Sequence, residues 1–220
     1  TRVGLVTGDN ERYIRIWWEL IARDIYFNCT SSELSEGSDL KWYPQLKGGG
    51  GRKWSGLTTS VVLWQFNGRE LKTRLHKSGK RLLAHNFNDG YQLQRGGITW
   101  SAISSSAFGA RFQPKGFVFN NANASAFPAS DGQIFDVLSY LNSAVFFYMQ
   151  KILNPTFNVL PGDISNHPLV ETNGAINPKQ VLESISISEK DWNSRETSWD
   201  FEQSPLLNQS QNIEASFYTR

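Results

Sequence analysis

The stretch DGQIFDVLSYLNSAVFFYMQKILNP, residues 131–155, decides how this 220-residue chain is read. Within it Ile134, Leu138, Leu141, Val145 and Ile152 recur near helical spacing, which predicts one amphipathic helix, the longest in the chain. Asn154-Pro155 stops it, because proline has no N–H to continue the ladder and disfavours helical backbone at the residue before it. Upstream the period is different. GITWSAI, FGARF, GFVFN and ASAFP, all within residues 91–128, are short strand-like pieces separated by turns, and they predict an antiparallel sheet. The switch of period near residue 131 makes the chain α+β: a basic, strand-rich lobe over residues 1–130 and a helix-dominated lobe over 131–220.

Toward the N-terminus, VGLVTGDNERYIRIWWEL (3–20) reads as a short strand, a Gly-Asp-Asn turn and a helix. Asp9 or Asn10 caps that helix, and Ile14, Trp17 and Trp18 lie on its buried side. TSSELSEGSDL (30–40) reads as a polar loop, and SVVLWQF (60–66) as a strand. NGRELKTRLHKSGKRLL (67–83) reads as a basic helix. After Pro155, TFNVL is strand-like and Pro161-Gly162 a turn. A further helix is expected from Pro178 to about Ser186, then a capped turn at SEKDW (188–192). The Asn/Gln/Ser-rich last twenty residues read as a connection.

A composition of 39% hydrophobic and 13% aromatic residues excludes wholesale disorder. No apolar run approaches the roughly 20 residues of a membrane span. Cys29 stands alone, so neither a disulfide framework nor a cysteine zinc cluster is expected, and a reducing, cytoplasmic setting fits. His76, His85 and His167 have no ligand spacing, which argues against a metal site. The sequence starts TRVGLVTGDN and its one methionine is Met149, so it is expected to be an excerpt of a longer protein.

Charge is distributed unevenly. Residues 1–120 carry 17 Lys/Arg against 9 Asp/Glu, whereas residues 121–220 carry 5 against 11. Residues 41–120 alone hold 13 basic residues and two acidic ones, Glu70 and Asp89, a net of +11 that points to a polyanionic partner. That segment contains KWYPQLKGGGGRKWSG (41–56). Backbone amides of its tetraglycine could cradle phosphate, but the spacing is not that of a nucleotide-hydrolase loop. Lys47, Arg52 and Lys53 supply charge, Gly49 and Gly50 a hinge, and Trp54, with Trp42 and Tyr43, flat stacking surfaces. This combination suits a loop that enters a nucleic-acid groove.

Asn154-Pro155-Thr156-Phe157 is spelled like the Asn-Pro-Pro-Tyr/Phe active-site loop of enzymes that methylate the adenine amino group. Context argues against that role. The string ends a predicted helix instead of following a buried parallel strand, and Thr156 replaces the second proline. No predicted strand leads into a Gly-rich turn and helix with an acidic ribose ligand. The string reads as a helix terminus.

Several stretches together resemble one family. GLVTGDNERYIRIWWE resembles the start of the target-recognition region of large adenine-specific DNA methyltransferases. YPQLKGGGGRKWSG is similar to that family's Lys-Gly-Gly-Gly-x-Arg-Lys-Trp-x-Gly element. GITWSAISSSAFGARFQPKGFVFNNANASAFP, LSYLNSAVFFYMQKILNPTFNVLPGDIS and ISISEKDWNSRETSWDF follow in the same order. Together they resemble the PglX-type methyltransferases of BREX phage-exclusion systems, and Leu141-Asn142-Ser143 also looks like the specificity domains of TaqI-like enzymes. The resemblance implies that residues 1–220 form a DNA target-recognition domain with no catalytic residue, cofactor or metal of its own. It places the catalytic loop and S-adenosylmethionine site in an upstream methyltransferase domain of the same polypeptide. Double-stranded DNA, that upstream domain and other defence-system proteins are then the expected partners. The DNA-binding set expected on this reading is Lys47, Gly49, Gly50, Arg52, Lys53 and Trp54, with Arg12, Arg15, Thr99, Trp100, Arg111 and Lys115. The rival readings are a carbohydrate-binding module, suggested by the Trp, Asn and Gly content, and a self-contained methyltransferase that uses the NPTF string. The +11 segment argues against the first, and the missing cofactor motif against the second.

Overall fold

The structure, a computed structural model, describes residues 1–74, 84–103, 108–168 and 176–207. Among them seven strands form two sheets: β1 (Ile14–Ile16), β2 (Trp42–Leu46), β3 (Ser60–Leu63), β4 (Gly97–Ser101), β5 (Ala110–Gln113), β6 (Val118–Phe119) and β7 (Asn123–Ala126). The helices are α1 (Asn10–Tyr13), α2 (Ser32–Glu36), α3 (Gln65–Thr73), α4 (Asp131–Asn142), α5 (Ala144–Leu153), α6 (Pro161–Ser165) and α7 (Pro178–Asn193). The fold is α+β. No helix among the described residues is long and apolar enough to cross a membrane.

One sheet has the order β1-β3-β2-β6 and the other β5-β4-β7. The pieces at 97–101, 110–113 and 123–126 form the expected antiparallel sheet, but GFVFN does not join it. Its β6 pairs in parallel with β2, with Gln45 opposite Val118 and Leu46 opposite Phe119. Both outer and inner faces of that segment are apolar, so its sequence could not say which sheet would take it.

Near the N-terminus the expected helix ends at Tyr13. Asp9 caps it as expected, its carboxylate accepting from the Arg12 N–H at 3.1 Å, but Ile14-Arg15-Ile16 forms a strand against Ser60–Val62. β-branched side chains on either side of Arg15 favour that extended alternative. Trp18 is therefore exposed, while Ile14 and Trp17 are half-buried. The polar loop at 30–40 contains α2, capped by Ser31 through the Leu34 N–H at 3.2 Å. In α3 the first residues are left-handed (Asn67 φ 55°, Gly68 φ 73°), so regular helix begins after Gly68. The rest of that expected basic helix, with His76, lies outside the described residues, as do residues 208–220 of the expected C-terminal connection.

The long helix expected over 131–153 is two helices. Ser143 leaves helical geometry at φ −78°, ψ 159°; its Oγ donates to the Tyr140 carbonyl at 2.7 Å and accepts from the Phe146 N–H at 3.1 Å. One serine thus caps the end of α4 and the start of α5. The break re-aims the apolar stripe: Ile134, Leu138 and Leu141 are buried, whereas Val145 is exposed and Ile152 is 81% exposed. Among the described residues the longest helix is α7, which runs through Ser186 and SEKDW as one sixteen-residue piece; Asn177 caps it and Pro178 opens it. TFNVL forms no strand, and Pro161-Gly162 opens the short α6.

Two main cores result. Leu5, Tyr13, Tyr43, Val62, Trp64 and Leu71 pack under the four-stranded sheet. Ile98, Trp100, Ala110 and Ala124 pack against Ile134, Leu138, Phe146, Val181 and Ile185, so the three-stranded sheet and the helices share one interior across residue 130.

Candidate nucleic-acid interface

The glycine-rich loop leaves β2 and lies along the three-stranded sheet. Two glycines hold it there by allowing close backbone approach. A Cβ on Gly48 would sit 2.6 Å from the Ala122 carbonyl oxygen, and one on Gly109 would sit 2.4 Å from that of Gly51. The Gly49 N–H donates to Ser101 Oγ at 3.2 Å, and that hydroxyl donates to the Gly50 carbonyl at 3.0 Å. Gly49 and Gly50 themselves are exposed, with open space around their Cα atoms, and Gly50 adopts a left-handed φ of 73°. The tip is therefore open while its base is pinned.

Past the tip, the chain is tied to both neighbouring layers. Trp54 is half-buried and pairs along the edge of β5: its N–H donates to the Ala110 carbonyl and its carbonyl accepts from the Phe112 N–H, both at 2.8 Å. Asn142 closes the same edge, its amide bonding both the N–H and the carbonyl of Ala110 at 3.0 Å. Leu141-Asn142-Ser143 is thus an edge clamp followed by a double helix cap.

Arg52 does not project into solvent. Its Nε donates to the Ser55 carbonyl at 2.8 Å, and its Nη2 to the Ser188 carbonyl at 2.5 Å and to Asp191 at 2.8 Å. The guanidinium lies over the Trp192 ring at 5.6 Å, and its hydrogen bond holds the Asp191 carboxyl below the usual carboxylate range. Arg52 therefore fastens the loop to α7.

Of the twelve residues expected to touch DNA, Arg52 and Trp54 are tied into the fold as described, and the other ten fall into three groups. Lys47, Gly49, Gly50 and Lys53 are exposed on the loop, although Lys53 Nζ also donates to the Asn142 carbonyl at the end of α4, 2.8 Å away. Arg12 and Arg15 sit elsewhere: Arg12 pairs with Glu70 at 2.6 Å, and Arg15 bonds the Glu11 and Ile14 carbonyls beside the Trp42 ring. Thr99 and Trp100 are buried in β4 and Arg111 in β5, while Lys115 is exposed. Thr99, Arg111 and Lys115 nonetheless come together, lining one cavity between the three-stranded sheet and α7. Both acidic residues of the +11 segment are ion-paired, Glu70 with Arg12 and Asp89 with Lys72.

The NPTF string behaves as a helix terminus. The Asn154 N–H donates to the Gln150 carbonyl at 2.8 Å, Asn154 Oδ1 accepts from the Thr156 N–H at 3.0 Å, and Asn154 Nδ2 donates to the Asn158 carbonyl at 2.9 Å. Asn154→Ala is expected to cost about 1 kcal/mol of stability, the usual loss for a local cap, measured by urea denaturation. The string also lines a cavity of about 160 Å3 with Gly50, Phe108, Phe147 and Gln150. No sequence signal pointed to this cavity, because its walls come from four separate segments, at Gly50, Ser101, residues 108–109 and residues 147–159.

Among the described residues, no group of three or more His, Cys, Asp or Glu side chains could hold a metal ion. Among the described residues, the parallel pairing between strands is the two-residue β2–β6 contact.

No family model matches the chain. Two curated proteins do. Adenine-specific methyltransferase PglX of Lacticaseibacillus casei (strain Zhang) is 34% identical over 206 residues, 94% of this chain. Adenine-specific methyltransferase BrxX of Escherichia coli O9:H4 (strain HS) is 30% identical over 212 residues, 96% of this chain. The chain is homologous to one segment of these methyltransferases. That agrees with the resemblance carried by the Thr-Gly-Asp-Asn and Gly-rich stretches. The chain spans 17% and 16% of the length of the two relatives.

Proposed function

We propose that this chain is a DNA target-recognition segment of an adenine-specific DNA methyltransferase of a BREX-type defence system. The observation that carries the reading is the glycine-rich loop: its base is pinned to the three-stranded sheet and its tip is open, between exposed Lys47 and Lys53. The homology to methyltransferases and the +11 segment supply the polyanion such a loop would meet. In this reading the exposed lysines and glycine amides contact phosphates and set the register on the duplex, while neighbouring side chains read base edges. Adenine extrusion, methyl transfer and the S-adenosylmethionine site belong to a separate catalytic segment of the complete polypeptide.

Lys47→Ala and Lys53→Ala test the loop. Each should weaken binding to all duplex sequences alike and reduce the slope of log affinity against log salt by roughly 0.9 per lost phosphate contact. Fluorescence anisotropy on target and scrambled duplexes at three salt concentrations reads both effects. Unchanged affinity and slope in both variants would remove the loop from the interface.

A further inference from the structure

The three-stranded sheet buries both of its faces. Register places Thr99 opposite Arg111 and Ser125, so these polar side chains share the face turned away from the helix-packed core. Thr99 is satisfied, donating to the Ala124 carbonyl at 3.1 Å and accepting from Asn123 at 3.3 Å. Arg111 is not. The residue is 1% exposed; its Nη1 reaches the Arg52 carbonyl at 3.4 Å, and its Nη2 is buried with no partner among the described residues. The ion pairs among the described residues use other cations. Burial, with repulsion from Arg52, pushes the Arg111 pKa down to about 10, so it remains a cation at neutral pH.

Arg111 borders the cavity of about 510 Å3 that Thr99 and Lys115 also line, a size in the usual range for small-molecule sites. Trp192 forms part of its wall, and the indole Nε1 of that buried residue is a second donor without a partner among the described residues. Phe117 and Trp199 add flat apolar surface. The rim carries exposed Lys115, Glu189 and Asp200. Water could satisfy buried amides such as those of Gln113 and Gln45, but a guanidinium also needs a counter-charge. Its planar fork matches phosphate and carboxylate oxygens.

We propose that this cavity binds a small molecule bearing an oxyanion, phosphate or carboxylate, on a flat ring. Arg111 anchors the oxyanion, Trp192 Nε1 donates a second hydrogen bond, and the ring lies against Phe117 and Trp199. The bound molecule bridges β5 to α7. This inference stands apart from the DNA reading, since Lys47 and Lys53 are not among the residues that line the cavity.

Equilibrium dialysis of the complete polypeptide at constant ionic strength tests it, with uridine 5′-monophosphate, uridine, inorganic phosphate and benzoate as probes. The monophosphate or benzoate is expected to saturate one site per chain, with inorganic phosphate competing and uridine binding at least tenfold more weakly. Arg111→Met should weaken binding at least tenfold. Trp192→Phe keeps an aromatic wall and should weaken it several-fold, which gives a readout even where Arg111→Met does not fold. Displacement of phosphate by a short duplex would overturn the small-molecule assignment in favour of the DNA backbone, whereas its retention is expected for a free metabolite. Absence of saturable binding by all of the anionic probes would overturn the site, as would full affinity in both variants.

Discussion

Trp100→Ala is expected to cost about 3–5 kcal/mol of folding stability, the range for deleting a large aromatic side chain from a core. Trp100 is 0% exposed in the central strand of the three-stranded sheet, packed in the interior that includes Ile134, Leu138 and Phe146. Its indole Nε1 donates to the Val159 carbonyl at 2.8 Å, which ties the chain after α5 onto the sheet. Alanine would leave both a cavity and an unpaired buried carbonyl, and the surrounding helices could close only part of the gap. Against a typical total of roughly 5–15 kcal/mol, that loss leaves little margin. Urea denaturation measures it as a fall in midpoint. Loss of duplex binding with an unchanged midpoint would instead make Trp100 a DNA contact despite its burial.

Arg52→Ala is expected to cost about 2–4 kcal/mol, because hydrogen bonds to a charged group are stronger than neutral ones and leave unpaired carbonyls when broken. The Arg52 side chain is 18% exposed and Asp191 is 56% exposed, so the ion pair itself is partly screened. The bonds to the Ser55 and Ser188 carbonyls account for most of the expected effect. Arg52→Lys keeps the charge but not the fork, and should recover only part of the loss. Asp191→Asn should cost less than either. The same variants separate two roles for Arg52. As a loop clamp it lowers the melting temperature and weakens all duplexes together. As a reader of guanine it would relax preference at one base pair, by roughly 1–3 kcal/mol, at unchanged stability.

Some features were legible because their causes are local. Asp9 caps α1 and Asn154 ends α5 through bonds within a few residues, so short sequence windows contain the whole interaction. The strands at 97–101, 110–113 and 123–126 are short strand-like pieces separated by turns, and that pattern predicts the sheet they form. The resemblance places Thr99 and Arg111 among the expected DNA contacts, and what it could not convey is that a second layer covers the polar face of that sheet and buries both. The contacts that hold Arg52 and Trp54 are illegible in the sequence for a related reason. Basic and aromatic side chains beside glycines look alike whether they face solvent or a helix more than a hundred residues away.

By itself, the sequence determined the α+β class, the caps that start and stop several helices, the uneven charge and the stretches that carry the homology, since each depends on residue type and short-range order. Tertiary structure alone decided that β6 leaves its neighbours for β2, that Ser143 breaks one apolar stripe into two helices, and that α7 takes up Arg52. These outcomes depend on which distant surface is available to a given segment. A strand that is apolar on both faces fits either sheet, and an arginine bonds whichever carbonyls and carboxylates the fold brings to it. The buried Arg111 belongs with them, because only the packing of α7 over the sheet turns an ordinary strand arginine into an unpaired charge beside a cavity.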